Sequence, residues 1–221
     1  MNIKKTALLL IDLQKEPSYQ LIDLKKVIQN TSKLISEAKR LNIPVIYSRH
    51  INREDGVGLS YREPVDDKGS PVFYNSATDH IDIFEEIRPQ KGDIVMDKYR
   101  WSAFYQTSLA LILKSLGADH LIVGGLVTDG CVMNTVFDAY FRDYQVSLVK
   151  DICTTSNTGA HMSSILIMCN WVYGIEVFDT DELINKMTGK NYRSWKWARA
   201  DQMQFSENSL KEVFESLNQP N

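Results

Sequence analysis

The chain is poor in cysteine: Cys131, Cys153 and Cys169 are an odd number with no paired spacing. That argues against a disulfide framework or a cysteine-rich zinc site and leaves at least one thiol free. Charge of one sign is also lacking, since 25 lysines and arginines are mixed with 28 aspartates and glutamates for a net of -3. With no dominant positive field to hold a phosphate backbone or an anionic bilayer, neither nucleic acid nor a membrane is an expected partner. No apolar run approaches a membrane-spanning length. Lys4 and Lys5 ahead of a short apolar run imitate the start of a secretory signal, but Asp12 interrupts that run and no small-x-small cleavage site follows. The expected location is therefore the cytoplasm.

What the sequence does contain is enough apolar residue for one sizeable core, 43% of 221 positions. Residues 5–11 are apolar without alternation, as in a strand covered on both faces of a parallel sheet. Leu24, Val27, Ile28, Ile35 and Ala38 then share one helical stripe opposite lysines, Glu37 and Arg40. Further strands are predicted at 44–48, 93–96, 120–123, 145–149 and 175–178, and helices at 104–116, 132–142, 160–171 and 181–187. This rhythm implies parallel crossovers and an α/β three-layer sandwich: a parallel six-stranded sheet with helices on both faces, of Rossmann-like type. Residues 1–187 are expected to form the domain. Residues 188–221 form an extension whose Trp195 and Trp197 pack on the domain or on a neighbouring subunit, and a homo-oligomer is expected. The polar, glycine- and proline-bearing connection at 49–90 is too long to be a plain link and is expected to cover the site, with Phe73 and Tyr74 among its apolar contacts.

In an open parallel sheet, ligands bind beyond the carboxyl ends of the strands. Asp12 closes the first predicted strand, Lys98 lies just past the third, and Cys131 follows the fourth in Gly124-Gly125-Leu126-Val127-Thr128-Asp129-Gly130-Cys131. A strand, a glycine-containing turn and then a helix place Cys131 near a helix N-terminus, where an anion is favoured. Beside a lysine its thiol pKa is expected to fall, and a nearby carboxylate can take its proton during attack. Gly124-Gly125 does not have the spacing of a dinucleotide fingerprint. His50 could reach a substrate, whereas His80, His120 and His161 are expected to be structural.

The segments Leu8-Leu9-Leu10-Ile11-Asp12-Leu13-Gln14 and Lys98-Tyr99-Arg100-Trp101-Ser102-Ala103-Phe104, and the run from Gly125 to Val132 with Asn134-Thr135, resemble the isochorismatase-like cysteine hydrolases. The resemblance extends from Thr6 to about Leu183. It implies hydrolysis of small carboxamides or ureides, an Asp12-Lys98-Cys131 triad, and a cis peptide at Leu126-Val127 that aims the Val127 and Cys131 N–H groups at an oxyanion. No cofactor is implied. Gln14, His50, Phe73, Tyr74, Trp101 and Leu126 are the candidate substrate contacts. Two departures restrict the reading. The family's frequent aromatic soon after Asp-x-Gln is missing from Lys15-Glu16-Pro17, so the entrance should differ. Ser48-Arg49-His50 lacks the carboxylate of the metal-binding Asp-x-His pattern of the nicotinamidase branch, so no metal is expected. The branch that hydrolyses the vinyl ether of isochorismate tends to carry a non-cysteine residue at the nucleophile position; Cys131 favours acyl transfer over that alternative, and over a non-catalytic member used for binding or assembly.

Overall fold

The computed structural model describes residues 1–218. Strand β1, Thr6–Ile11, is buried at all six positions because both of its faces are covered. Ala7, Leu9 and Ile11 point into one hydrophobic cluster and Leu8 and Leu10 into the other, the two-residue alternation of a strand. The remaining strands are β2 (Val45–His50), β3 (Ile94–Lys98), β4 (His120–Leu126), β5 (Gln145–Thr154), β6 (Glu176–Phe178) and β7 (Trp195–Lys196). They lie in the order β3-β2-β1-β4-β5-β6-β7. All neighbours pair in parallel except β6 with β7.

The sheet thus has seven strands rather than the six expected, and one edge is antiparallel. A two-residue strand carries no periodicity to read; β7 exists because Trp195 is 1% exposed in the core and aligns with Val177. Helices α1 (Leu24–Arg40) and α5 (Thr180–Met187) cover one face, while α2 (Leu109–Leu116), α3 (Met133–Tyr140) and α4 (Thr158–Trp171) cover the other. The tail, including α6 (Leu210–Ser216), adds Trp195, Met203 and Leu217 to this second cluster, and Trp197 lies against Tyr173 at 4.9 Å between ring centres. Among the described residues no helix is long and apolar enough to cross a membrane.

Helix α2 begins later than its apolar pattern suggests. Gln106 is left-handed (φ 52°), and the Ser102 hydroxyl accepts locally from the Phe104 N–H while donating to the distant Asp138. Side chains that satisfy backbone groups this way compete with the helix. The stretch after Lys98 is consequently a turn. Where β1 and β4 run side by side, Gly125 is required: it has φ 136°, and a Cβ there would lie 2.1 Å from the Ile11 carbonyl oxygen.

This topology brings four strand ends together. Ile11 is level with Ser48 on one side and Gly125 on the other, and His50 is level with Lys98. Residues following β1 and β4, and those ending β2 and β3, therefore meet at one sheet edge.

Candidate active site

Asp12 leaves β1 in the left-handed conformation (φ 48°), tolerated better by aspartate than by most residues. Its N–H donates to the Ser48 carbonyl (3.1 Å), and Ser48 Oγ donates back to Asp12 Oδ1 (2.7 Å). Lys98, fully buried at the end of β3, directs its ammonium to the Arg100 carbonyl (2.9 Å), Cys131 Sγ (3.4 Å) and His50 Nδ1 (3.4 Å). Asp12 Oδ2 lies 2.7 Å from the same nitrogen, within ion-pair distance but off the directions of a hydrogen bond.

Cys131 sits in a single π turn, Thr128–Val132, that joins β4 to α3. Thr135 explains why the sequence segments belong together: its hydroxyl donates to the Cys131 carbonyl and accepts from the Ala103 N–H, tying the turn to the stretch after Lys98. The peptide between Leu126 and Val127 is cis. Donor atoms of Asp12, His50 and Cys131 lie within 4.8 Å of one another, a set able to hold a metal ion. The Lys98 ammonium is in contact with all three, so a dication would have to share that space with a fixed positive charge.

The electrostatics overturn one expectation. Burial pushes the Cys131 thiol up to about 12; Lys98 pulls it down and the Asp12 carboxylate pushes it up again. Desolvation outweighs the lysine, so the resting group is the neutral thiol and attack requires a base. For Lys98 burial works against the ammonium, but Asp12 and Cys131 outweigh it and its pKa is raised. Burial, then Lys98, lowers His50 to about 4, which keeps the ring neutral. An ammonium offers only protons, so Nδ1 accepts and Nε2 carries the hydrogen. Iodoacetamide labelling of Cys131, followed by peptide mapping, is expected to keep rising through about pH 9.5 instead of levelling near the ordinary thiol value of about 8.5. A plateau below about pH 8 would mean that the thiolate already exists at rest.

Above these residues lies a cavity of about 480 Å³, lined by His50, Phe73, Tyr74, Trp101, Val127 and Cys131 together with Tyr19, Asp129, Gly130 and Ser60–Pro64. The 49–90 connection therefore forms part of its wall. It is held by Asn52, whose amide donates to Glu63 Oε1 and the Phe73 carbonyl, and by Glu16 Oε2, which accepts from the Tyr74 N–H. Two candidates are placed elsewhere. Gln14 spends its side chain on His50 N–H, His50 C=O and Ile81 C=O, bracing β1 to β2, because a buried amide must be satisfied. Leu126 is buried in the core cluster on the face covered by α1 and α5. Sequence reasoning missed Tyr19, which supplies a cavity aromatic beyond the Lys15-Glu16-Pro17 gap and stacks on Phe73 at 5.6 Å. It also missed Ser48, Glu16 and Glu63. Tyr19 was available by looking two residues further along, whereas the other three gave no signal.

The isochorismatase domain model matches residues 6–182. The chain belongs to the isochorismatase family. Among its family relatives, the ureidoacrylate amidohydrolase RutB of Serratia proteamaculans is 28% identical over an alignment of 218 positions, gaps included, and the match covers 83% of each chain. A cysteine hydrolase from Pseudomonas syringae pv. phaseolicola superposes with a TM-score of 0.75 at 26% identity, covering 86% of this chain and 95% of the other. An isochorismatase family protein from Desulfovibrio vulgaris gives 0.73 at 25% identity, covering 83% and 98%.

Proposed function

We propose that this isochorismatase-family chain is a cysteine hydrolase that cleaves an amide-type carbon–nitrogen bond of a small carboxamide, carbamoyl compound or ureide. The observation that carries this reading is Cys131 Sγ on the cavity wall, hydrogen-bonded by Lys98 and within 4.8 Å of an Asp12 carboxylate oxygen. A neutral thiol needs a base, and Asp12 is the base within reach. The amidohydrolase name of the Serratia relative supports the same bond type.

In this mechanism Asp12 takes the thiol proton as sulfur attacks the carbonyl carbon, and Lys98 stabilises the charge on sulfur. The N–H groups of Val127 and Cys131 meet the oxyanion. Collapse breaks the carbon–nitrogen bond, and the amine or ammonia leaves with the proton held by Asp12. Water then gives a proton to Asp12 and its oxygen to the acyl carbon; the thioester, or thiocarbamate from a ureide, releases the acid, and the sulfur regains its proton. No cofactor takes part. A screen for ammonia or amine release over carboxamides, carbamoyl compounds and ureides tests the reading. Turnover of one class supports it; inertness toward all, together with turnover of a vinyl ether, favours the alternative.

The 49–90 connection is assigned to substrate choice. Phe73 and Tyr74 face the cavity, and Tyr74 stacks on His50 at 4.9 Å. Replacing both with alanine is expected to lower kcat/KM for the best substrate more than about tenfold, about 1.4 kcal/mol of transition-state binding. Cys131 labelling should change little. Wild-type values of kcat/KM would make this wall a bystander.

A further inference from the structure

We propose that Ser48 is a positioning residue whose hydroxyl selects the Asp12 oxygen that takes the thiol proton. The inference rests on the proposed role of Asp12 as the base. Ser48 ends a run of buried residues, Val45, Ile46 and Tyr47, and is itself fully buried. An apolar side chain would suit such a strand position, since a buried hydroxyl is costly unless it is partnered. Its partner is Asp12, and the tie is reciprocal: the Asp12 N–H donates to the Ser48 carbonyl while Ser48 Oγ donates to Oδ1. Backbone and side chain of a left-handed residue are thus fixed by one neighbour on the adjacent strand.

The consequence lies at the other oxygen. With Oδ1 held toward β2 by Ser48, Oδ2 is the oxygen left facing the Lys98 ammonium, 2.7 Å from Nζ. A carboxylate oxygen has two lone pairs, so beside the ammonium Oδ2 still keeps one for the Cys131 proton. Without the hydroxyl nothing on β2 holds Oδ1, so the carboxylate can rotate about its soft terminal torsion and the base is then turned from sulfur. Ser48 touches no reacting atom in this account; it acts through Asp12.

The test compares Ser48→Ala with Ser48→Thr, which keeps the hydroxyl. Alanine is expected to lower kcat by about 30-fold or more, part of the usual contribution of a general base, with KM within about twofold. Iodoacetamide labelling of Cys131 should slow in Ser48→Ala without reference to any substrate, and threonine should recover both rates. Wild-type kcat and labelling in Ser48→Ala would overturn the proposal. So would a threonine variant of wild-type melting temperature that stays as slow as alanine; if the threonine variant melts lower, labelling of Ser48→Ala decides alone. Turnover surviving Cys131→Ala would instead defeat the proposed function, a result distinct from either of these.

Discussion

Replacing Cys131 with alanine or serine is expected to abolish turnover of any amide the chain hydrolyses, with kcat falling by about 10⁴-fold or more. The sulfur is the nucleophile that the site is arranged around: Lys98 donates to it, and the Asp12 carboxylate lies within 4.8 Å. Alanine removes the attacking atom and leaves both charges in place. Serine keeps an atom that Lys98 can still reach, but an alcohol is far harder to deprotonate than a thiol, and even this thiol is already raised to about 12 by burial. The fold should persist, since Cys131 is a small side chain and its truncation leaves a void of about one sulfur atom, costing on the order of 1 kcal/mol. The measurement is steady-state kinetics of folded variants, with a melting curve for each. Retained amide hydrolysis in Cys131→Ala would move the chemistry elsewhere. If the alanine variant loses its amides but still cleaves a vinyl ether, the site works through water activated by Asp12.

The layered fold was legible because buried parallel strands read as unbroken apolar runs, as in Thr6–Ile11, and because α1 carries a clean stripe. The meeting of Asp12, Lys98 and Cys131 was legible for a topological reason. Each lies at or just beyond the carboxyl end of a strand, and β3, β1 and β4 lie on the same half of the sheet. What could not be read depends on contacts distant in sequence. β7 is two residues long and is created by the burial of Trp195. The start of α2 is delayed by the left-handed Gln106, and Ser102 in the turn before it is held by Asp138, 36 residues away. Gln14 looked like a substrate contact because its motif neighbours the site, yet its three hydrogen bonds all go to backbone.

The thiol pKa was misjudged for the same reason. A lysine is visible in sequence, and it lowers a thiol; the desolvation that outweighs it is a property of the assembled interior. Ser48 was silent because a serine at the end of an apolar strand has no pattern of its own. Its meaning appears only when β1 and β2 are set in register.

Lys98→Met is expected to cost stability as well as activity, and to cost more than removing the whole ion pair. Lys98 and Asp12 are both fully buried as side chains and 2.7 Å apart. Methionine matches the length of the lysine stem but leaves the Asp12 carboxylate in the interior with no cation beside it, held by the Ser48 hydroxyl. Breaking a buried pair from one side typically destabilises by about 3 to 5 kcal/mol, because an uncompensated charge remains, whereas replacing both partners with neutral groups is far milder. The guanidinium midpoint of Lys98→Met should therefore fall well below wild type at unchanged slope, and Asp12→Asn/Lys98→Met should recover a large part of the loss. Both variants should be inactive, since the single one lacks the cation that stabilises sulfur and the double one lacks the base as well. A Lys98→Met midpoint equal to wild type would show that water or rearrangement already screens the pair. A double variant less stable than the single one would show that Asp12 holds the strand ends through Ser48 more than through Lys98, which would shift the structural weight of the site onto the β1–β2 clamp.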